Sequence, residues 1–130
     1  MHSSPCPLDE ALILALDVDS EAQAQHVLAR LGGGPRALKI GLQTLCSVGP
    51  AWVAQLRAQG HRLFLDLKLH EIPNSVAAGV RAAGRLGASL VTVHASAGSA
   101  VLRAAVAAAE EFPQLQVLAL TVITSLRDTD

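Results

Sequence analysis

Between His61 and His70 two kinds of side chain alternate: Arg62, Phe64, Asp66, Lys68 and His70 at even positions, Leu63, Leu65, Leu67 and Leu69 at odd ones. A period of two is the signature of a strand, so Asp66 and Lys68 share a face and stand side by side. A short turn then brings Glu71 beside them, ahead of Ile72-Pro73-Asn74. Removing ammonium and carboxylate groups from water is costly unless they neutralise one another. Lys39, Asp66, Lys68 and Glu71, interleaved, would do so and would hold Lys68 protonated and Asp66 ionised. The chemistry such a set offers is a proton donor next to a carboxylate that repels an anion. Spacing alone fits a structural ion-pair network at the rim of a sheet equally well.

The elements that must position this set repeat along the chain. Short β-branched or Leu-rich runs begin near Leu12, Leu38, Arg62, Leu90 and Leu115. Their spacing of about 26 residues is the length of one strand, one helix and two short loops. Ser20 to Leu31, Gly49 to Gln59, Asn74 to Leu86 and Ser99 to Glu110 carry apolar residues at helical spacing. Ser20 suits an N-cap, while Gly32 to Gly34, Gly60 and Gly87 stand where helices must stop.

This alternation predicts parallel strands joined by helical crossovers, in a doubly wound sheet or a β/α barrel. The polar strand face favours the barrel. An all-leucine face suits the helical layer, which turns Asp66 and Lys68 toward a barrel interior at its catalytic end. The other strands repeat the pattern: Ile13, Ala15 and Asp17 share a face, as do Ala37, Lys39 and Gly41, then Thr92 and His94, then Val122 and Thr124. Asp17, Lys39, Asp66, Lys68, His94 and Thr124 are therefore expected at one mouth. Eight such units need roughly 210 residues, and a typical barrel has about 250. The expectation is thus a (β/α)8 TIM barrel represented by its first five βα units, residues 1–130 forming the N-terminal portion of a single domain. The alternative is a complete five-stranded doubly wound domain.

Composition narrows the function classes. The chain has 130 residues, 51% hydrophobic and 16% charged, a balance that supplies a substantial apolar core. A net charge of −1 leaves no basic surplus for a nucleic acid backbone, and 2% aromatic residues argue against base-stacking platforms. Cys6 and Cys46 form no CxxC pair and have no histidine at metal-ligand spacing, which points to two reduced thiols in a cytoplasmic protein and to no metal site. Met1 to Glu10 lacks the basic and apolar regions of a secretory signal. Leu86 to Leu102 is uncharged but broken by Gly87, Ser89, His94, Ser96, Gly98 and Ser99, so no membrane span is expected.

At this point the residues resemble a known family. Phe64-Leu-Asp-Leu-Lys-Leu-His-Glu-Ile-Pro-Asn-Ser-Val76 is similar to the DLKxHDIPNT signature of orotidine 5'-phosphate decarboxylases. Leu14-Ala-Leu-Asp17 resembles the family's first strand, Leu38-Lys-Ile-Gly41 its second, Val91-Thr-Val-His-Ala-Ser96 its fourth and Leu120-Thr-Val-Ile-Thr-Ser125 its fifth. The resemblance implies conversion of orotidine 5'-phosphate to uridine 5'-phosphate and CO2, in pyrimidine nucleotide synthesis, with no cofactor and with homodimers sharing active sites. It implies that Lys68 stabilises the carbanion and protonates it, that Asp66 sits against the substrate carboxylate, and that Lys39 completes the network and reaches the ribose. Glu71 takes the position of the family's second acid, which reaches into the partner's site. Substrate contacts are implied for Asp17, for Leu67, Leu69, His70, Ile72, Pro73, Asn74 and Ser75 in the motif, and for Thr124.

Two departures carry consequences. Glu71 replaces Asp and is one methylene longer, so turnover is expected to fall. Ser75 replaces Thr and keeps the hydroxyl, with little effect expected. The resemblance implies a phosphate grip from loops after the last strands, and no Gly-Arg motif of that kind is present, so the 130-residue chain is expected to be nearly inactive, and two open strand edges are expected to lower its stability. The competing functions are a sugar-phosphate lyase of the same superfamily, disfavoured by Ile72-Pro73-Asn74, and a non-catalytic binding or assembly module. His94 reads as a packed interior residue, His26 and His61 as surface residues, and Gly32 to Gly34 as a linker. Ala95 to Gly98 precedes a helix, a generic anion-binding arrangement.

Overall fold

Capping and glycine punctuation divide the chain into its elements. In the computed structural model, which describes residues 11–32 and 36–130, Ser20 heads the first helix: its Oγ accepts a hydrogen bond from Gln23 N at 3.2 Å. Gln23 reaches back to accept from Asp19 N at 2.9 Å, a variant of the capping box. The order is β1 (Ile13–Ala15), α1 (Glu21–Leu31), β2 (Ala37–Gly41), α2 (Leu42–Val48), α3 (Pro50–Ala58), β3 (Arg62–Leu69), α4 (Pro73–Arg85), β4 (Leu90–His94), a 3-10 turn (Ala95–Ala97), α5 (Ser99–Ala109) and β5 (Gln116–Leu120). The expectations for Met1 to Glu10, Cys6, Gly33 and Gly34 lie outside the described residues.

Helix α2 was not expected. The sequence reading begins a helix at Gly49, whereas the structure places a further one before it. Gly49, with φ of 81°, ends α2, and Pro50 starts α3 at a position where its missing N–H costs nothing.

The five strands form one sheet in the order β1-β2-β3-β4-β5, and every neighbouring pair is parallel. A doubly wound sheet must reverse its strand order at some point; this one never does. Right-handed crossovers that always step the same way lay every helix on the same face of the sheet. The result is an arc of a β/α barrel, four complete βα units and the fifth strand.

The core lies between that face and the helices. Leu38, Ile40, Leu63, Leu65, Val91 and Val93 are fully buried against Val53 and Leu56 of α3, Val76 and Val80 of α4, and Ala105 and Ala108 of α5. The leucine face of β3 thus packs where the alternation put it. The opposite sheet face carries Phe64 and Asp66, and on the edge strands Ile13 and Leu118 are 49% and 46% exposed. The fifth strand corrects one expectation. It ends at Leu120, so Val122 and Thr124 lie in the irregular segment beyond it rather than on a strand face.

Candidate active site

Three adjacent strands bring the charged residues together. Register pairs Lys39 of β2 with Phe64 and Gly41 with Asp66, so Lys39 reaches across to the carboxylate from two residues earlier on its strand. Asp66 Oδ2 lies 2.8 Å from Lys68 Nζ and 3.5 Å from Lys39 Nζ. Asp66 Oδ1 accepts a hydrogen bond from the Thr92 hydroxyl at 2.9 Å, and that hydroxyl in turn accepts from Lys68 N at 2.9 Å.

The backbone makes this possible by leaving regular strand geometry. Leu65 pairs with Val91 but Leu69 pairs with Val93, so β3 carries a bulge opposite β4. Lys68 sits in it with φ of 49°, a left-handed conformation uncommon for a residue with a Cβ. Bulges of this kind re-aim a side chain, here the ammonium that the sequence reading placed beside Asp66 by simple alternation.

Electrostatics set the protonation of the cluster. Burial alone would raise the Asp66 pKa. Hydrogen bonds from Lys68 and Thr92 and the charges of Lys68 and Lys39 outweigh it, and the carboxyl is held below its ordinary value. Asp66 is therefore an anion between two cations. Its side chain is 12% exposed against 44% for Lys68, so the ammonium is the more accessible member. The group opens onto a cleft of about 650 Å³ whose lining includes Phe64, Leu118, Leu120, Val122, Ile123 and Thr124. The site can thus present a proton donor and a fixed anion to a ligand in a largely apolar cleft.

The other expected residues are distributed around this center. Asp17 lies exposed beyond the end of β1, and a Cβ built on Gly41 would be 3.8 Å from its Oδ1. Leu67 and Leu69 are half-buried and pack against the core. His70 is exposed, its ring 5.1 Å from that of His94 and tilted by 41°. Ile72 is exposed at the N-cap of α4, followed by Pro73, Asn74 and Ser75 in its first turn. Thr124 lines the cleft although it is off the strand.

Glu71 corrects the sequence reading. It is exposed in the link between β3 and α4 and makes no hydrogen bond or ion pair with any described residue. Among the described residues the ion-paired set is Lys39, Asp66 and Lys68 without it. Thr92, in contrast, joins the cluster although the sequence reading assigns it no part; a hydroxyl between two valines on β4 is the available signal. Among the described residues no group of three or more His, Cys, Asp or Glu side chains could hold a metal ion, and no helix is long and apolar enough to cross a membrane.

Sequential parallel strands with a lysine–aspartate–lysine cluster on β2 and β3 define a β/α-barrel protein, a class whose active sites sit at the C-terminal ends of the strands. The family described as Orotidine 5'-phosphate decarboxylase / HUMPS matches residues 10–130, and the chain belongs to it. It is 39% identical over 120 residues to an orotidine 5'-phosphate decarboxylase of Idiomarina loihiensis, covering 92% of this chain and 52% of the relative. A namesake from Parasynechococcus marenigrum is 48% identical over 122 residues, covering 89% of this chain and 49% of the relative. The crystal structure of orotidine 5'-phosphate decarboxylase from Lactobacillus acidophilus superposes with a TM-score of 0.82 at 36% identity, over 90% of this chain and 55% of that one. The chain spans about half the length of the curated relatives it matches.

Proposed function

We propose that this chain supplies the reacting cluster of an orotidine 5'-phosphate decarboxylase, forming uridine 5'-phosphate and CO2. The observation that carries the reading is the ionised Asp66 held between the Lys68 and Lys39 ammonium groups at the edge of an apolar cleft. In the reaction the bond from the ring carbon to the carboxylate breaks, CO2 leaves, and the electron pair stays on that carbon in the plane of the ring. No conjugated sink takes up that charge, so a nearby cation must stabilise it. Lys68 provides the cation and then transfers its proton to the carbon. Asp66, facing the substrate carboxylate, disfavours the bound anion and keeps both lysines in place. Lys39 and Asp17 reach the ribose, and Ser75 and Thr124 contact the nucleotide. The reading invokes no metal or organic cofactor.

In this proposal residues 1–130 are the N-terminal portion of one β/α-barrel domain in a cytoplasmic homodimer. The exposure of Glu71, unpaired among the described residues, supports a role for it toward a partner's site. The test is a chimera in which the C-terminal half of the Idiomarina loihiensis relative continues this chain, verified as folded by circular dichroism. Decarboxylation of orotidine 5'-phosphate that disappears in Lys68→Ala is the expected result. A folded chimera that turns over only phosphosugars, or nothing, overturns the reading.

A further inference from the structure

The Thr92 hydroxyl is the one polar group of β4 that reaches the cluster from inside the sheet, 3% exposed between Val91 and Val93. Its two hydrogen bonds have a forced direction. The Lys68 N–H can only donate and an ionised Asp66 carboxylate can only accept, so the single hydroxyl proton points at Asp66 Oδ1. The Lys68 backbone, Thr92 Oγ1, the Asp66 carboxylate and the Lys68 ammonium thereby close a ring, with Oδ2 left to meet both Lys68 and Lys39.

We propose that Thr92 is a positioning residue: its hydroxyl clamps the Lys68 backbone to the Asp66 carboxylate and so decides which carboxylate oxygen faces the two ammonium groups. The bulge explains the need for such a clamp. A non-glycine residue at φ of 49° persists only where its surroundings hold it, and the register shift between Leu65 and Leu69 takes this stretch of β3 out of the regular β4 ladder. Thr92 Oγ1 supplies the acceptor for the Lys68 N–H. Lys39 and Lys68 are the charged groups paired with the carboxylate; the third partner is this neutral hydroxyl, which fixes its orientation without adding charge. The catalytic consequence rests on the decarboxylase reading, whereas the clamp does not.

The experiment therefore has a part that needs no substrate. In the 130-residue chain, NMR follows the titration of the Asp66 carboxyl carbon and the hydrogen exchange of the Lys68 amide in the parent, in Thr92→Val and in Thr92→Ser. Valine keeps the shape and removes the hydroxyl; serine keeps the hydroxyl. The expected result is Lys68 amide exchange faster by roughly tenfold in Thr92→Val, with Asp66 titrating at higher pH, and both readings restored in Thr92→Ser. Parent-like values in Thr92→Val, or changes that serine fails to restore, overturn the clamp. In the active chimera Thr92→Val should lower kcat with little change in KM, and Thr92→Ser should restore it; an unchanged kcat overturns the positioning role. If the parent chimera does not decarboxylate, only the decarboxylase reading falls, and the NMR result still decides the clamp.

Discussion

The Lys68 ammonium lies 2.8 Å from Asp66 Oδ2 across a stretch of β3 that is not regular strand, because Lys68 itself is left-handed at φ of 49°. Two residues that alternation alone would set side by side are instead joined through a bulge, with Thr92 of the neighbouring strand bonded to both. The ion pair and the backbone distortion therefore belong to one arrangement, and changes to either are read through the other.

Stability should depend on pH through Asp66. Its folded-state pKa is lowered, so between the folded value and the unfolded one, about 3.9, the unfolded chain binds more protons and stability rises with pH. The contribution is fully present above the unfolded value and is lost as pH falls through the folded one. Urea denaturation from pH 6 to pH 2 should show the gap between the parent and Asp66→Asn narrowing below about pH 4. A constant gap across that range would refute the assignment.

Thr44 holds the end of β1 to α2. It is fully buried; its hydroxyl accepts from Val18 N at 2.9 Å and is placed to donate to the Leu16 carbonyl at 2.8 Å. Thr44→Val keeps the shape but strands these backbone groups, at a cost of about 1–3 kcal/mol. Denaturant midpoints at unchanged slope would register the loss.

Gly84 is a packing position within α4. A Cβ there would come within 2.5 Å of Phe112 ring atoms. Alanine would add up to about 1 kcal/mol of helix propensity, while overpacking costs about 1–3 kcal/mol, so Gly84→Ala should be net destabilising. A double-mutant cycle with Phe112→Leu should recover part of the loss, since the two sites are in contact.

Glu71 bears on turnover rather than on folding. Exposed and without a partner among the described residues, it should accept Glu71→Asp with stability unchanged within about 0.5 kcal/mol. In the decarboxylating chimera the same change should raise kcat by restoring the family's shorter acid. Equal turnover in the two forms would show that the extra methylene is harmless.

Much of the arrangement was legible before the structure. The leucine and polar faces of β3, the βα period and the approach of Lys39 to Asp66 follow from alternation and from equivalent positions on neighbouring strands. Other features left no local trace. Helix α2 has no side-chain N-cap, since Gly41 precedes it, and Leu42–Val48 has no charges to mark a solvent face. Strand β5 ends at Leu120 although the run rich in apolar and β-branched residues continues to Ile123. Glu71 is near Lys68 in sequence, yet it sits exposed in the link to α4 and makes no ion pair with the cluster.

The sequence by itself determined the parallel βα pattern and the face on which Asp66 and Lys68 lie, because side-chain direction in strands and helices follows from backbone geometry over a few residues. Tertiary structure alone decided the β3 bulge, the partnership of Thr92 with Asp66 and Lys68, and the isolation of Glu71. Each depends on strand register or on the path of a turn. Those are settled by packing among residues far apart in the chain, and no local period records them.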